Sequence, residues 1–261
     1  MNQKAQLDVD TESPPVSASF DAFRTKVRRF VEEELEPIAL EVERDAEIPG
    51  WVVDKMRRLG LFGLSIPRKY GGLGLTTLEE VMIYEALTRT NACFRSRIGT
   101  SNGIGSMGIL YDGTESQRER YLPRIASGEW TAAFALTEPD AGSDAANISS
   151  SAVLEEDRWI LNGTKQFITN ADSANVFTTL AVTDGQKRAR GGVTAFILER
   201  GMPGLSLGMA DSKMGLRGSH THELVLRDCE VPRDNVIGGL ERVGKGFKTA
   251  MRVLDKGRLT M

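Results

Sequence analysis

Near Trp130 the spacing of apolar residues in this 261-residue chain changes from helical to alternating, so its two halves must build different secondary structure. From the first half, Phe23, Val27, Phe30, Val31, Leu35, Ile38 and Val42 form one face of a helix, with Asp21 as its expected N-cap. Pro37 lacks a backbone donor, so this helix is expected to kink or restart there. A second helix follows Pro49-Gly50, turns Val52, Val53, Met56 and Leu59 inward, and stops at Gly60. Gly71-Gly72-Leu73-Gly74 reads as a loop. The pairs Thr76/Glu79 and Thr77/Glu80 read as capping boxes for a helix through about Leu87, and Thr114/Gln117 as one for a helix through Ile125. Between them, Phe94 to Leu110 is rich in Gly, Ser and Ile. Each glycine costs about 1 kcal/mol relative to Ala in a helix, so this stretch predicts a buried helix held close to a neighbour or a ligand.

Beyond Trp130, Trp159 to Gly163 carries the turn dipeptide Asn162-Gly163, while Val176 to Val182 and Val193 to Leu198 are β-rich runs. His222 to Asp228 alternates, and Pro232 follows it. Short strands at this spacing predict a small β-barrel or sandwich. The last stretch, Lys248 to Arg258, is an amphipathic helix whose apolar face needs a partner. The resulting division is a disordered tail over 1–19, a helical domain over 20–130, a β domain over 131–243 and the start of a further helical domain over 244–261.

Lys+Arg 33 against Asp+Glu 36 leaves −3, which gives no general attraction to nucleic acid. No uninterrupted apolar run reaches the roughly 20 residues that span a bilayer, so no membrane association is expected. Cys93 and Cys229 are far apart and read as reduced thiols; the acidic Asp8, Asp10 and Glu12 do not suit a transit peptide. A bacterial-type cytoplasm is the expected compartment, with the mitochondrial matrix as the alternative. His220 and His222 share a strand face, but with no third ligand in sight they are expected to be solvated, and no metal is expected.

Phe134-Ala135-Leu136-Thr137-Glu138-Pro139-Asp140-Ala141-Gly142-Ser143-Asp144 is an apolar strand ending in a hydroxyl and a turn that offers backbone N–H groups. It resembles the flavin-binding signature of the acyl-CoA dehydrogenase family, with Asn147 in place of a usual small residue. Asn162-Gly163-Thr164-Lys165-Gln166-Phe167-Ile168-Thr169-Asn170 is similar to that family's second flavin segment, Phe167 standing where many members have Trp. Tyr70 to Gly74, Arg120-Tyr121-Leu122-Pro123, Met214 to Ser219, and Gly246-Phe247 through Asp255 and Arg258 follow the family's order.

The resemblance implies an α+β multidomain fold in which an all-α domain precedes the β-barrel or sandwich, with a C-terminal helical bundle present only as its first helix. It implies FAD bound by Phe134, Leu136, Thr137, Gly142, Ser143, Phe167, Ile168 and Thr169. It places Ser143, Thr183, Asp255 and Arg258 at the acyl-CoA, and Arg95 in register with the arginine by which glutaryl-CoA dehydrogenases hold a distal carboxylate. The implied reaction is α,β-dehydrogenation of an acyl-CoA, needing a carboxylate base, donors to the thioester carbonyl and a flavin hydride acceptor. That base is expected to be absent from this chain: Gly257 stands where a minority of the family carries it. The chain alone is therefore expected to be inactive and to bind FAD weakly. An electron-transferring flavoprotein and a homotetramer are the implied partners of a complete protein. An acyl-CoA oxidase, a flavin monooxygenase, a nitroalkane-oxidising enzyme and a non-catalytic flavin protein stay open as alternatives.

Overall fold

The computed structural model describes residues 17–261, so most of the tail expected over 1–19 lies outside the described residues. Ser17 is a cap rather than tail: its hydroxyl accepts from the Phe20 N–H and opens α1, Ala18–Phe30. Asp21, expected as the cap, sits in the first turn, where its charge still complements the helix dipole. The chain then passes through a wide π turn at Val31–Leu35 and a tight turn at Glu36–Ile38 into α2, Ala39–Asp45. The interruption falls at Pro37, as its missing donor requires. Next, α3, Gly50–Arg58, buries Val52, Val53 and Met56, and Gly60 follows at φ 73°.

Helix α4, Thr77–Leu87, has one capping box, Thr76 with Glu79. Glu80, expected in a second, is fully buried instead: it accepts from the Tyr84 hydroxyl at 2.9 Å and pairs with Lys256 at 3.0 Å. The Phe94 to Leu110 stretch forms two helices, α5, Cys93–Asn102, and α6, Met107–Asp112. They separate at Gly103 and Gly105, and a Cβ on Gly105 would lie 2.8 Å from the Ala132 backbone. The close approach inferred from the glycines is thus made to a strand. Helix α7, Glu115–Ala126, opens with the Thr114/Gln117 box. The Gln117 side chain also bonds Asp234 O, Val236 O and the Gly238 N–H, tying the helices to the β part.

Seven strands follow: β1 Thr131–Ala135, β2 Ser151–Glu155, β3 Arg158–Thr169, β4 Ala174–Val182, β5 Val193–Glu199, β6 Leu205–Ala210 and β7 Thr221–Pro232. They make one curled sheet in the order β1-β4-β2-β3-β7-β6, with β5 antiparallel to β4 and β1 parallel to it. Alternate residues of β4 and β5 feed two cores. Val176, Leu180, Val193, Ala195 and Ile197 pack with helical residues, including Ile109, Leu122 and Ala250. Phe177, Ala181, Phe196 and Leu198 fill the inside of the curl with Trp159, Leu224 and Leu226. These strands are therefore apolar at almost every position, because both of their faces are covered. The Asn162-Gly163 dipeptide makes no turn: β3 runs through it, and Gly163, at φ 148°, sits at an irregularity in the pairing with β7. The apolar face of α8, Gly246–Thr260, finds its partners within the chain, packing against β5, α4 and α6.

Candidate functional site

The end of β1 and the bulged end of β3 are joined by a hydrogen bond from the Gln166 N–H to Thr137 O at 2.8 Å, and beside it lies a cavity of about 370 Å³. Phe134, Leu136, Thr137, Gly142 and Ser143 reach it from β1 and the loop beyond, and Phe167, Ile168 and Thr169 from β3. All eight residues expected at the cofactor therefore line one cavity, although the two segments lie far apart in sequence. Thr100, Ile104, Ala145, Met251 and Leu254 complete the wall and were missed by sequence reasoning. The glycine-rich stretch around Thr100 was one signal for them, and the helical spacing of Met251, Leu254 and Arg258 another.

The wall is apolar where Phe134, Leu136 and Ile168 are buried and polar at its hydroxyls. Among the described residues no hydrogen bond engages the hydroxyls of Thr137, Ser143 or Thr169, and the N–H groups of Gly142 and Ser143 lack a protein acceptor. Phe167 is 57% exposed, and its φ of 58° is left-handed, where a bulky side chain is strained. The β3–β7 register shifts between Lys165 and Ile168, so the bulge is what turns this ring toward the cavity.

The signature loop is anchored from inside the sheet. Lys165, wholly buried, sets its Nζ 2.7 Å from Glu138 Oε1 and donates to Leu136 O. Glu138 Oε2 accepts from the Ser149 N–H and hydroxyl, and Oε1 from the Ser150 N–H. Burial opposes the Glu138 charge, but Lys165 and these donors outweigh it and hold the carboxyl at about 2. Burial pushes the Lys165 ammonium below its ordinary value against the opposing pull of Glu138. Sequence reasoning quoted both residues without this pairing, which a strand interior conceals.

A second cavity, of about 250 Å³, shares Thr100, Ile104, Thr169, Leu254 and Arg258 with the first and extends to Arg95 and Gly257. Arg95 lies within α5, its guanidinium 4.6 Å from the Tyr84 ring centroid and donating to Thr260 O at 2.5 Å. Neither cavity is lined by an Asp or Glu side chain. Thr183 lies apart from both, its hydroxyl bonded to Gly192 O and the Thr194 hydroxyl. Asp255 is exposed and pairs with Arg258 at 2.7 Å, so of this pair only Arg258 reaches the cavities.

The histidines are not simply solvated. His220 places Nδ1 2.6 Å from Asp172 Oδ2 and Nε2 2.6 Å from Ala46 O, and Asp172 supplies the third group that the sequence did not bring into view.

The description "Acyl-CoA dehydrogenase, N-terminal domain" matches residues 17–129, and "Acyl-CoA dehydrogenase, middle domain" matches residues 133–229. This chain belongs to the acyl-CoA dehydrogenase family. It is 42% identical over 235 residues to acryloyl-CoA reductase (NADH) of Anaerotignum propionicum, covering 89% of this chain and 58% of that protein. A glutaryl-coenzyme A dehydrogenase in complex with glutaryl-CoA superposes with a TM-score of 0.86 at 31% identity, over 95% of this chain and 63% of that one. An acyl-CoA dehydrogenase from Bacillus anthracis complexed with FAD superposes with a TM-score of 0.83 at 35% identity, over 93% of this chain and 41% of that one. The chain thus spans less than two thirds of the length of these relatives. Among the described residues no helix is long and apolar enough to cross a membrane.

Proposed function

We propose that this chain supplies the flavin-binding and part of the thioester-binding surface of an FAD-dependent acyl-CoA dehydrogenase. One observation carries the reading: a single cavity gathers both signature segments and presents apolar surface, an outlying aromatic ring and three hydroxyls without a hydrogen-bond partner among the described residues. Those features fit a flat heteroaromatic ring system with polar edges. Phe134, Leu136 and Ile168 would exclude water from it, Phe167 would cover a ring face, and Thr137, Thr169 and the N–H groups of Gly142 and Ser143 would hydrogen-bond its edges. When bound, the flavin supplies the acceptor for the two electrons removed from the substrate.

The adjoining 250 Å³ cavity would take the acyl chain, with Arg258, which lines both cavities, and Ser143, which lines the first, available to a CoA arm. Neither cavity wall offers an Asp or Glu side chain, so the α-proton would be taken by a group outside these lining residues. Such a base contributes about 10²–10⁴-fold. Transfer of electrons to an electron-transferring flavoprotein and assembly as a homotetramer belong to the same reading of the complete protein.

Flavin binding is tested by titrating the purified chain with FAD and following flavin fluorescence. Thr137→Val and Thr169→Val should each weaken binding by about 0.5–1.5 kcal/mol, the worth of one neutral hydrogen bond. Affinities equal to the parent's would return both threonines to ordinary strand positions. In the complete protein, reoxidation of the reduced flavin by an electron-transferring flavoprotein rather than by oxygen separates a dehydrogenase from an oxidase.

A dicarboxylyl thioester is favoured as substrate by the position of Arg95, which lines the acyl cavity and not the flavin-lining one. A guanidinium stays charged and can grip a carboxylate with two parallel hydrogen bonds. Arg95→Ala should cost about 2–5 kcal/mol in kcat/KM on a glutaryl-CoA-like substrate by leaving that carboxylate unpaired, and little on a hexanoyl-CoA-like one. Equal losses on both would rule this specificity out.

A further inference from the structure

A third cavity, about 660 Å³, shares no lining residue with the two described above; its wall includes Asp172, Asp211, Lys213, His220 and His222. The register of β3 against β7 builds it. Ile168 pairs with His222 and Thr169 with Thr221, and the Asn170 N–H then donates to His220 O, so the chain carries Asp172 round to the two imidazoles. One ligand atom from each of Asp172, His220 and His222 lies within 4.8 Å of the others.

The surroundings of these three groups are those of metal ligands. His220 donates Nε2–H to the Ala46 carbonyl at 2.6 Å, so Nδ1, which shares a proton with Asp172 Oδ2 at 2.6 Å, is the nitrogen left to bind an ion once that proton is displaced. Asp172 Oδ1 accepts from the Ser173 N–H at 2.9 Å, leaving Oδ2 toward the imidazole. His222 Nδ1 is buried and has no hydrogen-bond partner among the described residues, and neither has Asp211 Oδ2 on the same cavity wall. Lys213, a nearby positive group, is tied to the Ser219 carbonyl.

We propose that Asp172, His220 and His222 form a binding site for a divalent transition-metal ion, Zn²⁺ by its taste for two imidazoles and a carboxylate. Small side-chain shifts bring the three atoms to one ion. The ion takes the place of the proton now shared between His220 Nδ1 and Asp172 Oδ2, and that proton leaves to solvent. In tetrahedral coordination one position is left, to be filled by Asp211 or water. The site is structural: through Ala46, the residue that ends α2, it joins the helical part of the chain to the strand pair β3 and β7.

The test is calorimetric titration of tag-free protein with Zn²⁺, and optical titration with Co²⁺, at about pH 8. The proposal expects one saturable site per chain, a higher melting temperature with metal, and affinity at least about tenfold weaker in His222→Ala and in His220→Ala. Far-ultraviolet circular dichroism checks that each variant is folded, and His222→Gln, which conserves bulk, provides a second variant with the same expected loss. Absence of saturable uptake overturns the proposal. So does uptake unchanged in all the histidine variants, or a Co²⁺ spectrum with a thiolate charge-transfer band, which would put the ion on Cys93 or Cys229.

Discussion

Lys165 Nζ and Glu138 Oε1 lie 2.7 Å apart with their side chains 0% and 3% exposed, a buried ion pair that binds the interior of β3 to the loop carrying Ser143. Removing one partner leaves the other charged and unpaired in a site from which water is excluded. Lys165→Met should therefore destabilise the protein by about 3–5 kcal/mol in urea unfolding, and loosen flavin binding with it. A loss below about 1 kcal/mol would mean that water reaches Glu138 and that the loop is held by other contacts.

The same pair dictates a response to acid. Glu138 is held at about 2, below the ordinary carboxylate value, so its folded pKa is depressed and its contribution is complete above the unfolded value of about 4.3. That contribution fades as pH falls from there toward 2. Denaturation midpoints of the parent should drop steeply across this window, while Glu138→Gln, already weaker at neutral pH, should show a shallower drop. Parallel curves for the two proteins would assign the acid sensitivity to other carboxylates.

Both thiols should be silent in the folded protein. Burial pushes Cys93 up to about 12 and Cys229 to about 11, so neither forms much thiolate at pH 8. Iodoacetamide followed by intact-mass measurement should add nothing to native protein and two groups in denaturant. Rapid modification of native protein would reveal opening of the α5 or β7 region.

Phe167 separates stability from binding. Its ring is exposed and its φ of 58° is strained for a bulky side chain. Phe167→Gly relieves a strain of order 1 kcal/mol, so it should melt no lower than the parent, yet bind FAD more weakly for want of the ring. A variant that melts lower and binds flavin normally would make the ring a packing element instead.

The helical half of the fold was legible because its signals are local. Pro37, Gly60 and the Thr76 and Thr114 boxes act within a turn of where they stand, and each did in the structure what its chemistry requires. Thr77/Glu80 carries an equally good local signal and failed, since Lys256 from α8 and the Tyr84 hydroxyl compete for the same carboxylate. Asn162-Gly163 failed in the same way: the pairing of β3 with both β2 and β7 outweighs a two-residue turn preference.

What the sequence determined by itself was the helical kind of the first half and the strand kind of the second, the two signature segments that meet at the 370 Å³ cavity, and most residue types on its wall. Periodicity, caps and motif spacing are properties of neighbouring residues. Which side chains from distant strands come within reach of one another was decided by tertiary structure alone. Lys165 against Glu138 and Asp172 against His220 both depend on strand register and on the curl of the sheet, and a shift of one residue in that register would turn these side chains to the other face.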